Sequence, residues 1–290
     1  MGTMQITDPP KRLDTHILRS YSTLRWCMCI FGFMLPLLLV LGGINSLWWI
    51  PAPLEIQNSL SAYYHAGSMC TAFEGVYRDL FVGILAAISF CLIIYTGFGK
   101  LENWLLNIAG ICLAGVAFFP TDWPEPQVLS ACQVTQGFVT FTSSRLLGLP
   151  VSIHFASALA FFLMITLVNV FTALNTVKLI ENARKRNFWE KLFSVARFLM
   201  PISLGLVLLL RIVTGTSIIG DRIVLWLECA GIWAFSFYWL LKSIEILNTK
   251  VDVDVINGNV QWASSSSGDE LDRKELQYRR RHLVKRHRAK

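Results

Sequence analysis

A short polar stretch, SLSAYYHAGSMC at residues 59–70, places hydroxyl, imidazole and thiol groups between two long apolar runs. Ser61 and His65 stand four residues apart, so on a helical turn their side chains would share one face. A serine beside an imidazole could orient a metal-bound water or stabilise an oxyanion. The residue types make this stretch a candidate for chemistry, and the alternative is a polar turn that only joins two helices.

Polar residues later in the chain could complete a metal site. Zinc binds neutral imidazoles and carboxylates, and a catalytic site keeps one position open for water. One hypothesis is a zinc site with ligands from the set His65, Asp79, His154 and Glu228, although no cofactor is required by the sequence. Ser61 and Asp79 are the candidate catalytic groups. The alternative is that each histidine at a helix entrance serves as a hydrogen-bonding cap. A serine hydrolase is disfavoured, because the chain lacks a GxSxG elbow.

The elements that must position these residues are long apolar segments. A hydrophobic content of 54% and a charged content of 16% lie outside the range of soluble domains. A membrane-spanning helix needs about 20 mostly apolar residues. The segments that meet this requirement are Trp26 to Trp48, Asp79 to Phe98, Asn103 to Phe119, Val151 to Leu174, Phe198 to Thr214 and Ile218 to Leu241. The sequence therefore predicts an all-α integral membrane protein, a six-transmembrane-helix bundle within residues 26–247.

The basic residues predict the orientation of this bundle. All but four of the 26 Lys and Arg residues lie before the first segment, in the turn after the second, in the connection after the fourth or beyond the sixth. Basic loops stay on the cytoplasmic side, so both termini are predicted to be cytoplasmic. Residues 1–25 form the N-terminal segment, and residues 248–290 form a basic tail, either disordered or a short surface helix. The net charge of +7 favours anchoring near anionic lipid, and we find no nucleic-acid motif.

With this topology, most polar side chains gather at the non-cytoplasmic ends of the helices. Beyond the candidate zinc ligands, these are Arg78, Asp122, Arg145, Arg211 and Asp221. A charge within a span costs about 3 kcal/mol and usually faces a partner or a cavity. We therefore predict a polar pocket at these ends, and for Glu228 the alternative is a structural ion pair with Arg211.

Aromatic residues at the same level indicate the ligand of such a pocket. They are Trp48, Trp49, Tyr63, Tyr64 and Trp123. They favour a lipid or amphiphile, with membrane lipids as partners, although an interfacial aromatic belt has the same composition. We identify no acidic or basic relay in the cytoplasmic halves, which predicts ordinary packing there and argues against an ion-coupled transporter. The small residues Gly83, Gly110 and Gly115 are predicted to permit close helix packing.

Two cysteines lie in the predicted non-cytoplasmic loops. They are Cys70 in the first loop and Cys132 in the long loop between the third and fourth segments. The non-cytoplasmic side permits disulfides, so we predict either a Cys70–Cys132 bridge that joins the two loops or two unpaired thiols.

An ordered series of motifs runs through residues 59–243. The motifs are SLSAYYH, RDLFVGIL, NIAGICLAGVAFFPT, IHFASALAFF and WLECAGIWAFSFYWLLKS. The series resembles uncharacterised six-pass bacterial membrane proteins of the domain-of-unknown-function type, which are DRAM-like. The resemblance implies a bacterial inner-membrane protein of unassigned activity. In that family SAYYH is followed closely by RD, whereas here the gap is longer and contains Cys70.

A second, partial likeness is to alkaline ceramidases. Their zinc site uses a serine four residues before a histidine, a downstream aspartate and a later HxxxH pair; Ser61, His65 and Asp79 match the first part. The later pair is not matched, because Ala158 stands four residues after His154.

The leading hypothesis is thus a multipass membrane protein with a lipid-binding or lipid-sensing pocket. The alternative is a zinc-dependent intramembrane hydrolase of a lipid amide or ester.

Overall fold

Helices account for all the regular structure in the described part of the chain, a computed structural model of residues 9–44, 56–64, 76–121, 152–180, 182–214 and 222–249. The α-helices are α1 (Pro9–Ile44), α2 (Val76–Ile94), α3 (Lys100–Phe118), α4 (Ile153–Thr172), α5 (Ala183–Ala196), α6 (Leu199–Thr214) and α7 (Ile223–Thr249). Two 3-10 helices cover Ser61–Tyr64 and Val177–Leu179. No β-strand occurs in these ranges, so the predicted all-α fold is confirmed for them.

Five helices are long and apolar enough to cross a membrane, by length and composition, within the ranges given above. They are α1, α2, α3, α4 and α7. Helix α6 is apolar but has 16 residues. At 1.5 Å per residue it measures about 24 Å, less than the roughly 30 Å of a hydrocarbon core. The described part of the chain is all-helical with several potential membrane spans, and the count of six stays a prediction.

Several helices extend beyond the apolar segments that predicted them. Helix α1 begins at Pro9 rather than near Trp26, and α7 ends at Thr249 rather than Leu241. Hydropathy marks only the apolar part of a helix, whereas backbone hydrogen bonding continues through polar turns. The basic connection before α6 contains a helix of its own, α5, which begins where the Asn182 side chain accepts a hydrogen bond from the Lys185 backbone N–H at 3.1 Å.

The spans pack side by side around a common core. Helix α1 packs against α2 and α7, α3 lies between α2 and α4, and α6 packs against α7, which also contacts α4. Leu35, Leu39, Leu106 and Phe235 are buried in this core. Many large apolar side chains instead face outward along the spans, for example Ile111 on α3. An outer surface of this kind suits lipid as the surrounding solvent.

Close helix packing depends on two of the three glycines predicted for that role. A Cβ atom at Gly110 would lie 3.0 Å from the Ser89 carbonyl oxygen, and one at Gly115 would lie 2.5 Å from Ser157 Oγ. Ser89 Oγ also donates to the Gly110 carbonyl oxygen at 2.7 Å, which joins α2 to α3. The prediction for Gly83 is wrong, because no atom of another element lies within 4 Å of a Cβ built there.

Contacts between the termini of the helices define two ends of the bundle, since the segment 56–64 contacts the start of α7, and His154 at the start of α4 contacts Phe119 at the end of α3. We call them the Ser61 end and the Lys242 end. The Ser61 end holds the 3-10 helix Ser61–Tyr64 and the first turns of α2, α4 and α7. The Lys242 end holds α5, the turn between α2 and α3, and the last turns of α7.

Candidate functional site

The SAYY segment is fixed to the first turns of α7. The Leu225 backbone N–H donates to the Asn58 carbonyl oxygen at 3.0 Å, and Arg222 Nε donates to the Ile56 carbonyl oxygen at 3.1 Å. Within the segment, the Ala62 backbone N–H donates to Ser59 Oγ at 3.0 Å. These bonds satisfy backbone groups that would otherwise be unpaired near a membrane.

Glu228 is the half-buried acid that holds this segment in place. Its Oε2 atom accepts a hydrogen bond from the Leu60 backbone N–H at 2.6 Å, and its Oε1 atom lies 3.5 Å from Ser61 Oγ. The predicted polar group within α7 therefore contacts the predicted polar stretch. The proposed ion pair with Arg211 lies outside the described side chains, because only the backbone of that residue is described.

A cavity of about 40 Å³ lies beside these two side chains, in the centre of the bundle. All five potential spans, α1, α2, α3, α4 and α7, contribute to its wall. The lining is formed by Leu35, Leu60, Ser61, Phe81, Leu85, Leu113, Val116, Ala158, Phe161, Phe162, Glu228 and Ile232. Ser61 and Glu228 are the polar members of this lining. The volume suffices for two or three water molecules.

Tyr63 points into the protein rather than into an open pocket. Its side chain is fully buried, with its ring centroid 5.9 Å from that of Tyr77. The Gln57 backbone N–H donates to its hydroxyl oxygen at 3.4 Å, and burial raises the pKa of the Tyr63 phenol above its ordinary value. The prediction that Tyr63 lines a pocket open to lipid is wrong, because its side chain is fully buried and lines neither the cavity nor any open groove of the described residues.

A wider groove opens on the outer side of α2 and α3 at the same end. It encloses about 360 Å³ and is lined by Tyr64, Arg78, Asp79, Val82, Gly83, Ala117 and Phe118. Arg78 Nε lies 3.2 Å from Asp79 Oδ1, and both side chains are exposed. The 3-10 helix separates the two spaces, with Ser61 on the cavity and Tyr64 on the groove.

The candidate zinc ligands that the structure describes do not converge. His154 is buried, and its Nδ1 atom lies 2.8 Å from the Phe119 carbonyl oxygen, where it caps the end of α3. Asp79 faces outward with Arg78, and Glu228 contacts Leu60 and Ser61. No group of three His, Cys, Asp or Glu side chains that could hold a metal ion occurs among the described residues. These residues do not fit a zinc site by themselves, and the part of the prediction that rests on His65 stays a prediction.

Several predicted site residues lie outside the described residues. They are His65, Cys70, Asp122, Cys132, Arg145 and Asp221. The Cys70–Cys132 disulfide and the predicted contribution of the loops to the pocket stay predictions.

The Lys242 end contains a buried polar network that the sequence did not predict. Arg25 is almost completely buried, and its guanidinium group lies 5.0 Å from the ring centroid of Tyr21 and 5.4 Å from that of Tyr95. The Arg25 Nε and Nη2 atoms donate to the Tyr95 hydroxyl oxygen at 3.2 and 2.8 Å, and Nη1 donates to the Lys242 carbonyl oxygen at 3.0 Å. Tyr21 donates in turn to the Thr96 carbonyl oxygen. Helices α1 and α7 and the turn after α2 are thus joined at one residue.

Lys242 extends the network to α4 and the segment that follows it. Its Nζ atom donates to Thr176 Oγ1 at 2.6 Å, to the Ala173 carbonyl oxygen at 3.2 Å and to Glu245 Oε2 at 3.4 Å. Thr176 Oγ1 donates to Glu245 Oε1 at 2.7 Å. Glu102, also buried, accepts from the Phe98 backbone N–H at 3.1 Å.

The expectation of ordinary packing at this end is therefore wrong. Arg25 and Lys242 each adjoin a predicted apolar segment, and a charge in that position normally marks the end of a span. One signal for the network is present in the sequence, since Lys242 and Glu245 stand three residues apart on one predicted helical face.

Comparison of the chain with protein-family models, with curated proteins and with solved structures found no match.

Proposed function

We propose that the groove between α2 and α3 binds a membrane lipid, and that the chain is a lipid-binding membrane protein. The observation that carries this proposal is the division of the groove into a charged and an apolar part. Arg78 and Asp79 form its charged part, whereas Val82, Gly83 and Phe118 belong to its apolar part. A lipid molecule has the same division between headgroup and acyl chains.

The charges of the groove suit a zwitterionic headgroup. An arginine guanidinium can bind a phosphate in bidentate fashion, and a carboxylate attracts the positive charge of an ammonium group. Arg78 and Asp79 offer both, 3.2 Å apart. The volume of about 360 Å³ falls within the range of small-molecule sites, so part of a lipid fits while its remaining chain stays in the bilayer.

The groove would lie at the non-cytoplasmic surface of a six-pass bundle with both termini in the cytoplasm. The distribution of Lys and Arg supports this orientation, and α6 would serve as the sixth span by thinning the bilayer locally. A tag placed after Lys290 tests the orientation. We expect protection from protease in intact cells, and digestion from outside would reverse the orientation.

Gly83 offers a direct test of the groove. Gly83→Leu places a branched side chain in the open space on α2, whereas Gly205→Leu does the same on α6, where a Cβ atom would also meet nothing within 4 Å. The two proteins are reconstituted with a photoreactive phosphatidylcholine, and the crosslinked peptides are mapped. We expect about tenfold less labelling of α2 and α3 in Gly83→Leu and wild-type labelling in Gly205→Leu. Equal labelling of α2 and α3 in both variants would disprove lipid binding in the groove.

The double variant Arg78→Gln/Asp79→Asn tests headgroup recognition without changing the net charge. We expect the preference for phosphatidylcholine over an uncharged diacylglycerol to disappear. The remaining crosslinks should still map to α2 and α3. Retention of the preference would show that other groups bind the headgroup.

A metal-dependent hydrolase of a lipid amide or ester is a second candidate. The observation that favours it is the position of Ser61 beside Glu228 on one buried cavity. Elemental analysis of the purified wild type, His65→Ala and His154→Ala proteins tests it. Stoichiometric zinc that is lost in both variants would support the hydrolase, and wild-type protein without bound metal would exclude it.

A further inference from the structure

Helix α5 lies beside the last turns of α7, at the Lys242 end. The ring centroid of Phe193 lies 4.6 Å from Lys242 Nζ and 6.1 Å from the ring centroid of Tyr238. Lys185 Nζ donates to the Asn248 carbonyl oxygen at 3.0 Å. Helix α5 therefore lies at the depth where a potential membrane span of the protein ends.

The two faces of α5 differ in composition. Trp189, Phe193 and Ala196 are buried against the bundle. The outward face carries Arg184, Phe188, Lys191 and Val195, at spacings of four, three and four residues that place them in one stripe. Phe188 is 61% exposed and Val195 is 71% exposed. Cations and exposed apolar side chains thus alternate along the outward face of α5.

The positive charge of α5 is not compensated within the described residues. Arg184, Lys185 and Lys191 are exposed, and no ion pair with a carboxylate is found for them in that part of the chain. Arg186 adds a further guanidinium, whose Nε atom is buried and makes no hydrogen bond to the described residues. Glu190 is the acidic residue of the helix, and it is half-buried at the flank of the stripe.

We propose that α5 lies in the membrane interface and binds anionic phospholipid headgroups, with Phe188 and Val195 inserted among the acyl chains. A short helix with cations and apolar side chains on its outward face binds membranes by both charge and apolar burial. A polyanion in solution, such as a nucleic acid or an acidic protein segment, would use the cations but leave the two apolar side chains exposed. The proposal does not depend on the groove, which lies at the other end of the bundle.

Native mass spectrometry of the purified full-length protein tests this proposal. The protein is incubated with equal amounts of phosphatidylglycerol and phosphatidylcholine, and the bound lipids are counted. The triple variant Arg184→Gln/Lys185→Gln/Lys191→Gln removes the exposed cations of α5. The control Arg279→Gln/Arg280→Gln/Arg281→Gln removes the same charge from the C-terminal tail.

Each cation near a membrane surface contributes about fivefold in affinity for anionic lipid, so the α5 variant is expected to lose on the order of a hundredfold. The tail control is expected to keep the preference for phosphatidylglycerol. Wild-type preference in the α5 variant, or its loss in the tail control alone, would overturn the proposal.

A second pair of measurements separates a lipid surface from a free anion. Phe188→Ser/Val195→Ser keeps every cation, and we expect it to bind phosphatidylglycerol several-fold more weakly than the wild type. Inorganic phosphate and a short single-stranded oligonucleotide are expected not to displace the lipid. Unchanged lipid binding in the serine variant together with displacement by either anion would identify a polyanion site instead.

Discussion

Lys242 Nζ lies 2.6 Å from Thr176 Oγ1, and both side chains are buried inside an apolar bundle. The same ammonium group is 3.4 Å from Glu245 Oε2, so one hydroxyl joins an acid and a base. Buried charges of this kind need partners, because neither can be solvated by water. The contact links the end of α4 to the end of α7 and explains why charges persist within a potential span.

Lys242→Met should destabilise the protein strongly. The substitution keeps much of the side-chain volume but leaves the Glu245 carboxylate buried without its ammonium partner. Removal of one member of a buried pair typically lowers the free energy of unfolding by about 3–5 kcal/mol. Unfolding by SDS in mixed micelles measures the change.

The double variant Lys242→Met/Glu245→Met should recover most of this loss, because both charges are then absent. Lys185→Met, at an exposed position, is the matched control and should change the free energy of unfolding by about 0.5 kcal/mol or less. A loss equally small in Lys242→Met would contradict the role of the network.

Glu228→Ala should release the segment 56–64 from α7. The Leu60 backbone N–H would lose its acceptor at 2.6 Å, which costs about 1–3 kcal/mol for a buried donor. Hydrogen exchange of residues 56–64 should accelerate. Glu228→Gln retains an oxygen acceptor and should exchange nearly as slowly as the wild type, and Ser61→Ala should have a small effect because its contact is 3.5 Å long. Fast exchange in Glu228→Gln would show that the negative charge itself is required.

Gly110→Ala should destabilise the contact between α2 and α3. The new methyl group would meet Ile93 and the Ser89 backbone, and overpacking of this kind costs about 1–3 kcal/mol. Gly83→Ala adds the same methyl group in open space on α2 and should stabilise the helix by up to about 1 kcal/mol. Thermal unfolding in one detergent compares the two variants, and a similar midpoint for both would refute the close approach at Gly110.

The stability of the protein should fall above about pH 10, the ordinary pKa of tyrosine. Burial raises the pKa of Tyr63, so the folded protein keeps that proton while the unfolded chain releases it. Stability due to this group is complete below the unfolded pKa and decreases as the pH rises through the folded pKa. Tyr63→Phe should show a shallower decrease between pH 10 and pH 11.5, measured by unfolding in SDS. If the free energy of unfolding decreased with pH equally steeply in both proteins, Tyr63 would not contribute to this pH dependence.

The apolar pattern predicts where the spans lie but not how long the helices are. Helices α2, α3 and α4 begin and end within a few residues of their predicted segments, apart from the end of α2 at Ile94 rather than Phe98. The extensions of α1 and α7 are polar, and polar residues carry no information about whether a helix continues into water. The helix α5 was missed for the same reason, because its cations dominate its average hydropathy.

The candidate site was predicted in part. Glu228 lies 168 residues after Leu60 and 167 residues after Ser61 in the chain, and it contacts both. The common depth of the two segments in the predicted bundle indicates that they meet. Pairing of Arg25 with the Lys242 carbonyl oxygen was not predictable in this way, because hydropathy treats each charge as the boundary of its own segment. Side-chain direction also escaped prediction, since Tyr63 is buried inside the protein whereas the adjacent Tyr64 lines the groove.

The hydrogen bond between Arg25 and Lys242 joins residues 217 positions apart, and it closes the bundle between α1 and α7. During synthesis on the ribosome, α1 leaves the exit tunnel long before α7 exists. The Lys242 carbonyl oxygen is then absent, so Arg25 Nη1 gains this acceptor only after α7 has been synthesised. Closure of the bundle between α1 and α7 is therefore a late step of its assembly.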